Sequence, residues 1–407
     1  MKRIVLLIVS ACLAEVLGMA AFATFPSLLP TFKGLWGLTN AEAGWINGIY
    51  FAGYTLAVPV LVSLTDRVDT RRVYLPCMAL SGVAALGFVF AEGFWSALAL
   101  RALAGVGLAG TYMPGLKALS DLIEGPAQSR AVAFYTASFG IGASVSFLLS
   151  GEVAAWLDWR WAFGLAAAGP VLAMILFFAV FPPRPPLPRP EGARARLIDF
   201  MPVLRNRPAM GYVAAYTAHN FELFGLRTWV VAFLAYSETL QGGATVPWSP
   251  TLLAAVLTLA GNPASILGNE MALRVGRRRW VVLVQCTSAA LACVVGFTAS
   301  LHYAAVAVIL IVYGMTLMGE SAPTTAGTLF EADPAYRGTT MGVHSFIGFS
   351  GSFLGPLVFG YVLDATGGGA TPASWGIAFA TMGLGVALGP VALLILSGAA
   401  RRAAADG

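Results

Sequence analysis

Asp66-Arg67-Val68-Asp69-Thr70-Arg71-Arg72 and Leu273-Arg274-Val275-Gly276-Arg277-Arg278-Arg279 are two copies of one basic loop, one in each half of the chain. Each copy lies between two long apolar runs, so each joins two apolar segments. The correspondence extends outward on both sides. Glu15-Val16-Leu17-Gly18-Met19 matches Glu222-Leu223-Phe224-Gly225-Leu226, Arg130 with Ser138-Phe139 matches Arg337 with Ser345-Phe346, and Trp159-Arg160-Trp161-Ala162-Phe163 matches Trp375-Gly376-Ile377-Ala378-Phe379. Matches in the same order along the chain make the halves parallel repeats.

The composition says what medium the repeats occupy. Of 407 residues, 58% are hydrophobic and only 11% charged, with a mean hydropathy of +0.78, whereas soluble domains carry about 25% charged residues. A bilayer span takes about 20 apolar residues, so the length holds a dozen spans and leaves no room for a separate soluble domain. The net charge of +5 does not indicate nucleic acid, because the basic residues sit in short loops instead of clustering on one soluble face. Cys12, Cys77, Cys286 and Cys293 fit no disulfide framework or zinc spacing and read as small core residues.

Apolar runs read against Gly, Pro and charge punctuation place spans 1 to 12 at 4–29, 43–65, 73–92, 94–121, 130–155, 161–182, 209–236, 249–274, 279–300, 303–330, 337–364 and 374–398. Lys2, Arg3 and the following apolar run imitate a signal peptide, but that run continues to Leu29 and Glu15 interrupts it, so it reads as span 1. Loops on the side of the termini are rich in arginine, and only Lys33 and Arg160 fall opposite. The asymmetry predicts cytoplasmic termini. The Pro- and Arg-rich stretch 183–208 reads as a cytoplasmic linker, with a short amphipathic piece around Leu197 to Leu204, between six-helix bundles 1–182 and 209–407. The predicted fold class is an all-α membrane protein of twelve transmembrane helices in two parallel pseudo-repeated six-helix bundles.

On these residues the chain resembles the major facilitator superfamily along its whole length. The Asp66-Arg67…Arg71-Arg72 loop is similar to that family's signature between helices 2 and 3, and Arg101…Gly105…Gly107 to its helix-4 signature. Val62 and Asp69 depart from it, standing where the family usually has glycine, and Leu273 replaces the acidic residue in the second copy. The resemblance implies a central cavity lined by spans 1, 4, 7 and 10. It also implies a cytoplasmic gate, assigned here to Asp66, Arg67, Arg71, Arg130, Arg274 and Arg337. With Leu273 in the second copy, that gate is expected to be asymmetric.

Charge inside a membrane is costly and marks function by default. The charged or titratable residues within spans are Glu15, Arg101, His219, Glu222, Arg227, Glu320 and His344, and these are the candidate substrate or proton groups. At 1.5 Å per residue, Glu15 lies about 16 Å into span 1 and Glu222 about 20 Å into span 7, near mid-membrane. Helical spacing puts His219, Glu222 and Arg227 on one face of span 7, expected to look into the cavity, and the repeat sets Glu15 opposite Glu222. The alternative reading of Glu15 and Arg101 is a static pair. Lys117 and Asp121, four apart on span 4, are a local pair. Met315 and Met318 with Met341 and His344 offer soft ligands, which keeps copper transport as an alternative, though no assigned site holds a metal and no cofactor is implied.

The chain is therefore expected to be a monomeric, multi-pass inner-membrane transporter, not an enzyme. Two buried arginines favour a small polar, anionic solute, and the glutamates and histidines favour proton coupling. Alternatives are proton-driven efflux of amphipathic compounds and a receptor or scaffold on the same fold. The expected partners are a small-molecule substrate, protons and the lipid bilayer, with no nucleic acid.

Overall fold

The computed structural model describes residues 2–184, 200–242 and 248–405. Regular structure among them is entirely helical, as a lipid environment demands, because a helix satisfies its backbone hydrogen bonds within one segment. The twelve expected spans are present. Spans 2, 3, 5, 7, 8, 11 and 12 are the unbroken helices Asn40–Leu64, Thr70–Phe88, Pro126–Trp156, Arg207–Thr239, Pro250–Val275, Arg337–Ala365 and Pro372–Ala405. Span 6 divides into Trp159–Ala166 and Ala168–Val180, and span 9 is Arg277–Val295 closed by a short 3₁₀ turn. Side-chain caps fix several starts: Asp69 accepts from the Arg71 backbone N–H at 3.0 Å, Asp158 from that of Arg160 at 2.7 Å, and Asn206 from that of Ala209 at 3.2 Å.

Span 1 differs from the expected single run. Its helix Lys2–Gly18 ends in a turn, and the short helices Thr24–Ser27 and Leu29–Trp36 follow. The linker piece expected around Leu197 to Leu204 is seen only as the one-turn helix Met201–Arg205, and its start lies outside the described residues.

Spans 4 and 10 break at matching places, Phe94–Ala109 followed by Tyr112–Ser120, and Tyr303–Met318 followed by Ser321–Glu331. Proline is the cause in both. Pro114 and Pro323 each lack an N–H and press on the carbonyl four residues back, which belongs to Gly110 and Gly319. The freed Gly319 carbonyl accepts the indole N–H of Trp280 at 2.9 Å.

Among the described residues, nine helices are long and apolar enough by themselves to cross a membrane. The three spans outside that set are span 1, whose longest helix has 17 residues, span 3, which opens with Arg71 and Arg72, and span 7, which carries His219, Glu222 and Arg227. The exterior is that of a membrane protein. Phe90, Trp95, Trp156 and Leu388 are exposed while Glu15, Arg101, Glu222 and Glu320 are buried, the reverse of a soluble surface. All four cysteines are free, and only Cys77 is fully buried, Cys286 being exposed.

The chain packs as two compact units, Met1–Leu38 with Trp45–Pro188 and Pro247–Leu259, and Thr39–Gly44 with Arg189–Val246 and Ala260–Gly407. In the first unit Leu7, Tyr74, Tyr135, Phe177 and Phe181 form a core, with the Tyr74 and Phe177 rings stacked 3.7 Å apart. In the second, Gly351 and Gly355 of span 11 sit where any Cβ would overlap the carbonyls of Thr217 and Phe221 on span 7. Small residues one turn apart let two helix backbones touch.

Candidate substrate and proton site

In the first unit, Glu15 is 2% exposed and the Tyr135 hydroxyl lies 2.9 Å from its Oε2. The same hydroxyl lies 3.0 Å from the Tyr112 carbonyl. A phenol has one hydrogen to give. When it goes to Glu15 the carboxylate is satisfied as an anion, and when it goes to Tyr112 the phenol oxygen can accept a proton held by Glu15. The contact therefore survives protonation of the acid. The other oxygen, Oε1, has no hydrogen-bond partner among the described residues.

Arg101 does not pair with Glu15. Its Nη2 donates to Asn47 Oδ1 at 3.0 Å, its Nη1 to the Phe22 carbonyl at 3.2 Å, and the guanidinium lies 4.3 Å from the Tyr50 ring centroid. The static-pair reading of these two residues is thus replaced by two separate settings. In the second, a buried cation is solvated by dipoles and a ring face.

In the second unit the break in span 10 sets Glu320 at the start of Ser321–Glu331, where it meets span 7. His219 Nδ1 lies 2.7 Å from Glu320 Oε1, both side chains 1% exposed, although the ring N–H is not aimed along the contact. Gln285 of span 9 donates to the same oxygen at 3.2 Å and to the Ala215 carbonyl at 2.8 Å, while the Thr324 hydroxyl donates to Oε2. Glu222 is separate. Its Oε1 accepts the hydroxyls of Ser288 and Tyr313, each at 2.8 Å. Hydroxyls accept as well as donate, so this pocket too can hold the acid in either protonation state.

Arg227, one turn beyond Glu222, is buried with its guanidinium 5.5 Å from the Phe224 ring centroid, and its Nε has no hydrogen-bond partner among the described residues. Among the described residues neither Arg101 nor Arg227 forms an ion pair. His344 Nδ1 lies 3.0 Å from the Thr328 hydroxyl, and Tyr216 stacks on its ring with centroids 4.0 Å apart, also lying 6.0 Å from the His219 ring. Of the soft-ligand set, Met315 is exposed and Met318 lies against Gly261.

With these settings in place, comparison with known proteins decides the family. The family model of the Major Facilitator Superfamily matches residues 11–356. The chain belongs to this superfamily. It is an all-α, multi-pass membrane protein of twelve transmembrane helices in two parallel repeats, on a fold of carriers and not of enzymes.

This superfamily member is 26% identical over 297 residues to human protein spinster homolog 1, covering 68% of its own length and 55% of that protein. The chain spans about half the length of the curated spinster relatives it matches. It is also 30% identical over 136 residues to the niacin transporter NiaP of Acinetobacter baylyi, covering 33% of its own length and 31% of that protein. Among solved structures, a bacterial homolog of the human lysosomal transporter Spinster superposes with a TM-score of 0.77 at 15% identity, covering 97% of this chain and 96% of that one. The nucleoside transporter NupG superposes equally well, at 12% identity and 96% and 99% coverage. These two likenesses speak for the fold alone.

Of the facilitator's expected gate residues, Asp66, Arg67, Arg130, Arg274 and Arg337 are exposed. Arg71 instead turns toward span 6, where its Nη2 donates to the Phe178 carbonyl at 3.3 Å and its guanidinium covers the Phe178 ring at 4.4 Å. Lys117 and Asp121 form the expected local pair, 2.6 Å apart. Sequence reasoning missed Tyr135, Asn47, Ser288, Tyr313, Gln285 and Thr324, because hydroxyls and amides are frequent in any helix. One signal was legible: Gly110-Thr111 before Pro114 repeats as Gly319-Glu320 before Pro323, and breaks at corresponding places in the two halves mark polar sites in transporters.

Proposed function

We propose that the chain is a secondary active transporter that moves a small anionic solute by alternating access, coupled to protons, in a cell inner membrane with both termini cytoplasmic. The two repeats, 1–182 and 209–407, are its moving bodies. The observation that carries the anionic reading is Arg227, a buried guanidinium 5.5 Å from the Phe224 ring centroid that forms no ion pair among the described residues. A buried cation without a counter-ion is expensive, and a solute carboxylate or phosphate would supply one. Arg101, solvated by Asn47 and Tyr50, adds a second such cation.

Proton coupling is supported by Glu15, Glu222 and Glu320, three buried acids whose hydroxyl, amide and imidazole partners tolerate either protonation state. The niacin transporter among the relatives suggests a small carboxylate. The runner-up, efflux of amphipathic compounds, draws support from the Arabidopsis thaliana probable sphingolipid transporter spinster homolog 1, 24% identical over 152 residues.

Proteoliposomes holding the full chain test the proposal with labelled niacin as the first probe and a labelled sphingolipid as the second. An acid-outside gradient should drive uptake of an anionic probe. Arg227→Ala should abolish counterflow as well as driven uptake, whereas Glu222→Gln should spare counterflow and remove the gradient's effect. Normal counterflow by Arg227→Ala would sink the anion role. Uptake by Glu222→Gln and Glu320→Gln that still follows the gradient would sink the coupling role.

A further inference from the structure

The second copy of the opening loop, Leu273 to Arg279, borders a cavity of about 520 Å³ in the second unit, lined by Arg277, Arg278 and Arg279 with Tyr212, Phe330 and Glu331. Three arginines and one glutamate line it. Arg277 Nε and Arg278 Nη1 are buried polar atoms without a hydrogen-bond partner among the described residues. Such atoms are costly unless something external takes the bond.

The first copy shows what is missing. There Asp69 caps span 3, its carboxylate accepting the Arg71 backbone N–H at 3.0 Å, and Arg71 is spent on the Phe178 carbonyl and ring. Arg184 donates to the Asp121 carbonyl at 2.7 Å and Lys117 pairs with Asp121. The cavity between these groups is only about 60 Å³. In the second copy Leu273 and Gly276 replace Asp66 and Asp69, no side chain caps the nineteen-residue helix Arg277–Val295, and Gly276 holds a positive φ of 92°. Two carboxylates are lost, one basic residue is gained, and the cavity opens.

We infer that this cavity binds the phosphate of an anionic phospholipid headgroup, which takes the place of the missing carboxylates. Phosphate suits the donors, since a helix N-terminus and a pair of guanidinium groups both favour it. A lipid source suits the rim. Phe330 is 73% and Leu273 57% exposed beside the arginines, and Arg277 lies over the Phe330 ring at 5.3 Å, which leaves its N–H edge free. Apolar side chains that flank a basic pocket at the ends of spans 8, 9 and 10 offer acyl chains a surface that a soluble anion would not use. Basic pockets between transmembrane helices take anionic headgroups in this way.

The test uses the purified full chain in maltoside micelles doped with either phosphatidylglycerol or phosphatidylcholine, read by native mass spectrometry for retained lipid and by thermal melting. Phosphatidylglycerol should be retained and should raise the melting temperature, and phosphatidylcholine should do neither. Arg278→Gln should weaken retention by about tenfold to a hundredfold, the loss of one charge-assisted bond, and Arg278→Lys should keep part of it. Equal retention of the two lipids, or an undiminished preference in Arg278→Gln, would overturn the site. A full melting shift from millimolar inorganic phosphate in phosphatidylcholine micelles would overturn the lipid assignment.

Discussion

Removing the Tyr313 hydroxyl tests whether Glu222 is held as the structure shows. The phenol and the Ser288 hydroxyl both reach Oε1 at 2.8 Å, from spans 10 and 9 respectively, so Tyr313→Phe deletes one of two interhelical hydrogen bonds and little volume. Interhelical hydrogen bonds in membranes couple by about 0.6 kcal/mol on average and up to about 1.7 kcal/mol, and a bond to a charged acceptor is about twice as strong as a neutral one. The Tyr313→Phe, Glu222→Ala double-mutant cycle should therefore give a coupling of about 1 kcal/mol, measured by reversible unfolding in detergent. Ser288→Ala with Glu222→Ala should give a similar value. In the Glu222→Gln background the amide oxygen still accepts both hydroxyls, so most of the coupling should persist there. A Tyr313–Glu222 coupling within about 0.3 kcal/mol of zero, the ordinary additivity error, would refute the hydrogen bond. A coupling that vanished with glutamine would refute the argument that the pocket tolerates a neutral side chain.

Other perturbations probe the fold around the sites. Gly355→Ala puts a methyl into the Phe221 carbonyl and should destabilise the second unit by about 1–3 kcal/mol, the usual cost of overpacking, seen as a lower melting temperature. Asp364 accepts from the backbone N–H groups of Asn40 at 3.0 Å and Ala41 at 2.8 Å, so Asp364→Ala removes an N-cap and should cost about 1 kcal/mol, with Asp364→Asn restoring part of it in the same melt. Lys117→Ala breaks a partly exposed local pair and should change stability by less than about 0.5 kcal/mol. Pro323→Ala relieves the break before Ser321–Glu331 and should shift Glu320 away from its 2.7 Å contact with His219, seen as a change in the His219 ring chemical shifts between wild type and variant at one pH.

The amino-acid sequence by itself determined that this chain is a twelve-span membrane protein of two parallel repeats. Hydropathy, loop charge and repeat register are properties of order along a chain, and the bilayer turns them directly into topology. The same logic named the buried charges, since few residues at membrane depth titrate and Glu15, Arg101, Glu222, Arg227 and Glu320 stand out against apolar neighbours. Their partners needed the tertiary structure. Helical spacing puts His219, Glu222 and Arg227 on one face, yet His219 meets Glu320, Glu222 meets Ser288 and Tyr313, and Arg227 lies by the Phe224 ring. Those distinctions depend on how four helices cross, and on breaks at Pro114 and Pro323 that set polar groups at helix ends. The two copies of the basic loop show the same division. Their shared pattern is visible in the sequence, but packing decides that one is closed around Asp69, Asp121 and Arg184 and that the other stands open.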